Sequence, residues 1–173
     1  MDVFTDANVL VSGGAGSVGQ ALVTRITEAD PDVVRVLDNN DPSLAAMKST
    51  LGNDTYRFLA GDIRDKDRLE RAIQDIDIVI HAAAMKHVDL SEYNPFEAVK
   101  TNVVGLQNVV DAAIDASVER VVFTSSDKAA NPANTMGATK LLGEKLVTAG
   151  NKYSGRPDLK LASVRFGDRK SVV

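Results

Sequence analysis

The sequence predicts an α/β domain built on a doubly wound parallel sheet with helices on both faces. Two observations predict it. Short apolar runs alternate with helix-spaced patterns along the whole chain, as strands joined by crossover helices do. A glycine-rich turn, Ser12-Gly13-Gly14-Ala15-Gly16-Ser17-Val18-Gly19, falls between the first apolar run and the first helical one. At 173 residues the chain suits one domain with a sizeable core, spanning 1–173.

The elements follow in order. Asn8 to Ser12 reads as a short buried strand, and Val18 to Glu28 as a helix with Val18, Leu22, Val23 and Ile26 on one face. Val33 to Leu37 is the second strand, Ser43 to Leu51 a short helix, and Tyr56 to Ala60 the third strand. A charged helix covers Lys66 to Ile73, and Ile76 to Ala82 is the fourth strand. Pro95 sits where a helix begins without losing a hydrogen bond. From there Phe96, Val99, Val103, Leu106, Val110 and Ala113 recur every three or four residues, predicting one long amphipathic helix to about Ala116. Arg120 to Ser125 is the fifth strand. Thr135 to Ala149 is a helix burying Leu141, Leu142, Leu146 and Val147, and Leu159 to Phe166 is the sixth strand.

Composition removes several function classes. A net charge of −4 lacks the basic footprint of broad nucleic-acid binding. Without cysteine there is no disulfide, thiolate nucleophile or cysteine metal site. The two histidines, His81 and His87, lie six residues apart, which matches no common helical ligand pair, so no metal is expected. Met1 to Asp6 carries two acids and no basic start, unlike a signal peptide, and no apolar run approaches the roughly 20 residues of a membrane span. The expected address is the cytoplasm.

The glycine turn carries specific physics. Gly14, Gly16 and Gly19 satisfy G-x-G-x-x-G, and Gly13, Gly16 and Gly19 satisfy the wider G-x-x-G-x-x-G. One glycine makes the tight turn, another admits a pyrophosphate to the backbone, and Gly19 lets the helix pack on the strand. The helix start supplies free N–H groups for the phosphates. Strand, turn, helix and a downstream acid together predict a Rossmann-type cofactor domain. That acid is Asp38, nineteen residues after Gly19. A carboxylate there accepts both adenosine ribose hydroxyls and repels a 2′-phosphate, which favours NAD over NADP; the alternative is a turn-initiating Asp before Asn39-Asn40-Asp41-Pro42.

The fifth strand ends in Thr124-Ser125-Ser126-Asp127-Lys128, followed by Ala129-Ala130-Asn131-Pro132. Ligands of open α/β sheets sit at the carboxyl ends of strands, so a hydroxyl, an acid and a base are offered there; a solvated loop with a neighbouring charge pair is the alternative.

These stretches come in one order with His81-Ala82-Ala83-Ala84-Met85-Lys86-His87-Val88, Glu92-Tyr93-Asn94-Pro95, Lys100-Thr101-Asn102-Val103-Val104-Gly105 and Gly137-Ala138-Thr139-Lys140. The series resembles the extended short-chain dehydrogenases/reductases of polysaccharide biosynthesis (CapD-like), nearest to the inverting, C5-epimerising UDP-N-acetylglucosamine 4,6-dehydratases. The resemblance runs from about Asn8 to Gly167, and Ser-Asp-Lys-Ala-Ala-Asn-Pro is its most specific part. It implies a nicotinamide cofactor and a UDP-sugar substrate. Asp127 would be the acid helping hydroxide leave C6, and Lys128 the base removing the C5 proton. Lys140 would hold the nicotinamide ribose, Asn102 would lie near the active site, and Ser125 and Ser126 would line the sugar pocket. Ser17, Val18, Asp62, Ile63, Ala82, Ala83 and Ala84 would contact the cofactor, Asp62 at the adenine unless it only caps the next helix. Lys86 would reach toward a phosphate or the active site unless it is simply solvated. For this chemistry Lys128 has to be neutral and Asp127 protonated, states that burial favours, with a nearby cationic Lys140 helping the former.

Two departures stand out. The family's Tyr-x-x-x-Lys appears as Met136-Gly137-Ala138-Thr139-Lys140, without the phenol. After Arg165-Phe166-Gly167 comes Asp168-Arg169-Lys170-Ser171-Val172-Val173, where the family continues with an Asn-Val stretch. The expectation is a fragment with the C-terminal sugar-nucleotide part largely absent and little turnover by itself. A cofactor-binding module without turnover and a sugar-nucleotide epimerase are the competing readings. A homo-oligomer is expected, because the helices after Pro95 and Met136 pair between subunits in this superfamily.

Overall fold

The computed structural model describes residues 3–167; the Asp168–Val173 run lies outside the described residues. Six strands form one sheet in the order β3-β2-β1-β4-β5-β6. They are β1 (Asn8–Ser12), β2 (Val33–Asp38), β3 (Tyr56–Ala60), β4 (Ile78–His81), β5 (Arg120–Ser126) and β6 (Lys160–Phe166). Every neighbouring pair is parallel. All carboxyl ends therefore lie along one edge, and the order reverses between β1 and β4, where such sheets open a crevice.

The helices are α1 (Ser17–Thr27), α2 (Asp41–Leu51), α3 (Lys66–Ile73), α4 (Val88–Tyr93), α5 (Pro95–Val99), α6 (Gly105–Asp115) and α7 (Thr135–Tyr153). Alternation along the strands divides the core. Val9, Val11, Val34 and Val36 pack with Val23 and Ile26 of α1 and Leu44 and Met47 of α2. Leu10, Leu37, Val79, Val121 and Phe123 pack on the other face with Leu69 of α3, Leu106 and Val110 of α6 and Val147 of α7. Each such side chain contributes about 1.5–3 kcal/mol on full burial. Polar caps set the helix starts: Asn40 accepts from Ser43 N, Asp65 from Arg68 N and Asn134 from Gly137 N. Each cap is worth about 1 kcal/mol.

The predicted long helix is divided. Between α5 and α6 the chain makes a π-helical turn over Lys100–Val104. Phe96 and Val99 are exposed, at 80% and 40%, while Ala98, Asn102 and Gly105 face inward. The π turn carries an extra residue, and the inward position that apolar spacing assigned to Val103 belongs to polar Asn102. Two further expectations shift for a similar reason. Leu142 of α7 is exposed, because the buried face runs through Met136, Lys140, Gly143 and Val147. Gly143 stands where a Cβ would lie 2.8 Å from the Phe123 ring, so that ring takes the space a leucine was expected to fill. Val18 is 49% exposed and faces the crevice rather than the core. Strand β4 is shorter than the apolar run Ile76 to Ala82, and α4 and a 3-10 turn at Asp127–Ala129 carried no periodic signal.

Candidate active site

The crevice is built first by backbone. Gly13 adopts φ +70°, and a Cβ on it would sit 2.4 Å from Ala83 N. A Cβ on Gly19 would sit 2.2 Å from Gly13 O. These two glycines let β1, α1 and the segment after β4 meet, whereas Gly14 faces Val36 and Val11 inside the sheet. Gly16 caps α1 without a side-chain acceptor, so the first N–H groups of that helix stay open to a ligand. The groove beside them has a volume of about 710 Å³. Gly13, Gly16, Ser17, Val18, Gly19, Asp38, Asp62, Ile63, Ala82, Ala83, Ala84 and Lys86 line it.

Asp38 lines the groove and starts the turn that follows it. Its Oδ2 accepts from Ala15 N at 3.0 Å, tying β2 to the glycine turn, and its Oδ1 accepts from Asn40 N at 2.9 Å, starting the next turn. Asp62 does not cap α3; Asp65 does. Asp62 instead holds Arg64, with Nη2 donating at 2.6 Å, and that guanidinium keeps its carboxyl below the usual carboxylate range. Arg64 reaches on to Glu97 at 3.1 Å, and both side chains border the groove.

A second groove, of about 950 Å³, opens at the carboxyl end of β5. Ser17, Val18, Ala82, Ala84 and Lys86 line both grooves, so the two are continuous. Ser125, Ser126, Asp127, Lys128, Met136 and Lys140 come together here. Asp127 and Lys128 sit on the 3-10 turn 3.7 Å apart, with Ser126 Oγ donating to Asp127 Oδ1 at 2.9 Å. Their side chains are 45% and 41% exposed, so the expected burial does not act on them, and an exposed pair of this kind adds roughly 0–1 kcal/mol to stability.

Lys140 is different. Its Nζ donates to Thr124 O at 2.8 Å and lies 4.7 Å from the Phe123 ring centroid. Burial pushes its ammonium down to about 8. Met136, one turn earlier, is buried and lines the same groove. Asn102 lines neither groove: its amide accepts from Met85 N at 2.8 Å and donates to Met85 O and to Thr139 Oγ1. It holds the segment after β4 rather than facing the reacting space. Ser125 borders the groove, yet its hydroxyl donates to Glu144 at 2.6 Å.

Two functional neighbours escaped the sequence reading. His81 is fully buried, with Nδ1 2.7 Å from Ser12 Oγ and its ring stacked on Phe123. Burial, with the Lys140 charge adding, pushes it down to about 3, so it is neutral. Glu144 binds Ser125 and makes two 2.7 Å bonds to Arg165. Its signal in the sequence is an acid one turn after Lys140. Among the described residues, no cluster of three or more His, Cys, Asp or Glu could hold a metal, and no helix is long and apolar enough to cross a membrane.

A reversing parallel sheet, a glycine cradle at its switch point and a Ser-Asp-Lys turn facing a buried lysine define an extended short-chain dehydrogenase/reductase of Rossmann type. The chain belongs to the polysaccharide biosynthesis protein family, whose sequence profile matches residues 9–171. It is 49% identical over 95% of its length to a Methanocaldococcus jannaschii protein named an uncharacterized membrane protein, covering 50% of that protein. It is 40% identical over 99% of its length to the inverting UDP-N-acetylglucosamine 4,6-dehydratase of Campylobacter jejuni, covering 53% of it. Among solved structures, the dTDP-glucose 4,6-dehydratase DesIV of Streptomyces venezuelae, with NAD bound, superposes with a TM-score of 0.82 at 30% identity. That match covers 91% of this chain and 55% of DesIV. The chain thus spans about half the length of the curated relatives it matches.

The buried ammonium has a measurable signature. Folding lowers Lys140 from the unfolded value near 10.4 to about 8, so between those values the unfolded chain binds more protons. Stability owed to this group therefore rises with pH from about 8 to about 10. Thermal melts at pH 7 and pH 9.5 should show Lys140→Met more stable relative to wild type at pH 7 than at pH 9.5. An unchanged difference would count against an uncompensated buried charge.

Proposed function

We propose that the protein is a nicotinamide-dependent sugar-nucleotide 4,6-dehydratase acting on UDP-N-acetylglucosamine with inversion at C5. One observation carries the reading: the Asp127–Lys128 pair faces a groove continuous with the glycine cradle. The cradle fits a dinucleotide because Gly13 and Gly19 let the turn, α1 and the segment after β4 close together, while Gly16 caps α1 without a side-chain acceptor and leaves its first N–H groups open to phosphates. Gly16, Ser17 and Val18 would meet the pyrophosphate, Asp38 the adenosine ribose, and Lys140 the nicotinamide ribose. When bound, the cofactor supplies reversible hydride chemistry that makes the sugar a transient 4-ketone. The C5 proton is then acidic, because the carbanion left behind is stabilised as an enolate. Lys128 takes that proton while Asp127 gives one to the hydroxyl leaving C6, so the elements of water depart. Proton return to C5 from the opposite face, with the hydride that left C4 restored at C6, would complete the reaction with inversion.

In the free chain the two groups form an exposed ion pair. Moving one proton from the Lys128 ammonium to the Asp127 carboxylate yields both the base and the acid. Covering the groove with substrate favours those neutral forms, because lowering the local dielectric penalises charge. Met136 offers no proton acceptor, so the C4 hydroxyl proton leaves through Lys128 or water. A cofactor-binding module without turnover is the second reading, favoured by Met136, which stands without a phenol beside the buried Lys140.

The proposal extends to a homo-oligomer. Tyr93 and Phe96 are 87% and 80% exposed, and Val99, Val104 and Leu142 add apolar surface on the helices expected to pair. Light scattering at micromolar concentration should report more than one copy; a monomer would contradict this part. Calorimetric titration should show tighter binding of NAD than NADP, since Asp38 would face a 2′-phosphate; the reverse order would overturn that assignment. In heavy water with substrate and cofactor, Lys128→Ala should abolish deuterium entry at C5, whereas Met136→Ala should keep substantial activity. Deuterium entering at the wild-type rate in Lys128→Ala would remove this lysine from the mechanism.

A further inference from the structure

Ser125 and Arg165 are register partners at the carboxyl ends of β5 and β6. Both side chains meet Glu144 of α7. Ser125 Oγ donates to Glu144 Oε1 at 2.6 Å, Arg165 Nε donates to the same oxygen at 2.7 Å, and Arg165 Nη2 donates to Oε2 at 2.7 Å. The Glu144 side chain is only 13% exposed. The Arg165 guanidinium, with the Ser125 hydroxyl adding, holds its carboxyl below the usual range against the opposing effect of burial. Charge-assisted bonds are roughly twice as strong as neutral ones, so this carboxylate is a firm anchor.

What it anchors is the strand end leading into the catalytic turn. Ser126 follows at once; its hydroxyl donates to Asp127 Oδ1, and Lys128 N donates to that same oxygen at 2.8 Å. One residue before Ser125, Lys140 grips the Thr124 carbonyl. Lys140 and Glu144, one helical turn apart on the inner face of α7, thus hold consecutive residues of β5. We propose that Glu144 is a positioning residue for the proposed dehydration, acting through Ser125 to fix the Ser126–Asp127–Lys128 turn, with Arg165 fixing Glu144. The proposal rests on the dehydratase reading for what the turn does, but not for what holds it. It also gives the Ser125 hydroxyl a role other than contact with the sugar.

A simple brace for the edge strand β6 would use the Arg165 bonds alone; the Ser125 bond separates the two cases. Backbone amide NMR of the 173-residue chain reads the turn without turnover. Ser125→Ala and Glu144→Ala should shift the Asp127 and Lys128 amides, while Glu144→Gln, which keeps a carbonyl acceptor for Ser125, should move them much less. Should Glu144→Ala fail to fold, Ser125→Ala, which deletes one hydroxyl, decides the matter. Where deuterium entry at C5 is measurable, Ser125→Ala and Glu144→Ala should slow it about tenfold or more with KM nearly unchanged, and Glu144→Gln should restore most of the rate. Shifts confined to Arg165 and β6, with the turn amides unmoved in Ser125→Ala, would overturn the proposal. Unmoved turn amides in the variants would overturn the positioning proposal whether or not wild type exchanges; the predicted shifts without exchange would leave it standing and count only against turnover by this chain.

Discussion

The contact between Gly13 and Ala83 sets the geometry on which the rest depends. These residues follow adjacent strands, β1 and β4, at the place where strand order reverses. A side chain at Gly13 would overlap the Ala83 backbone, and its φ of +70° is one that other residues adopt at a cost. With that space left empty, the glycine turn, the start of α1 and the Ala82–Lys86 segment share one wall. Ser12 and His81, the residues just before the two turns, add a buried bond of 2.7 Å that keeps the strand ends in step. The groove proposed for a dinucleotide is the gap left by this packing.

The second constraint is a buried positive charge. An isolated ammonium in the core is costly unless polar groups surround it. Lys140 has a carbonyl below it and an aromatic face beside it, but no carboxylate bond, since Glu144 one turn on is occupied by Ser125 and Arg165. His81, stacked on the same Phe123 ring, stays neutral because it is fully buried, with the Lys140 charge adding to the effect. The site thus keeps one cation inward and leaves the Asp127–Lys128 pair at the surface, where an approaching ligand changes its surroundings most.

The parallel sheet, its six strands and the cradle were legible in the sequence because they rest on local rules. Alternation of apolar runs reports strands buried on both faces, and three glycines at fixed spacing report a turn that no other residue makes easily. Asp127 and Lys128 were legible too, being neighbours in the chain at the end of a strand. Where apolar spacing met a polar residue bound for the interior, the reading slipped. Phe96 and Val99 were expected inward, but Asn102 occupies the inward position because its amide completes the backbone of Met85, seventeen residues away.

By itself the sequence determined the fold class, the order of the six strands, the glycine cradle and the Ser126–Asp127–Lys128 cluster at a strand's end, since each is written in contiguous residues. Only the tertiary structure decided that Lys140 is buried and titrates low, that Asn102 faces away from the reacting space, and that Ser125 is held by Glu144. Those properties come from contacts between residues far apart in the chain, and from which side chains lose water when three elements close on one another. Burial and hydrogen-bond partnership are properties of the assembled packing, so no local pattern of residue types encodes them.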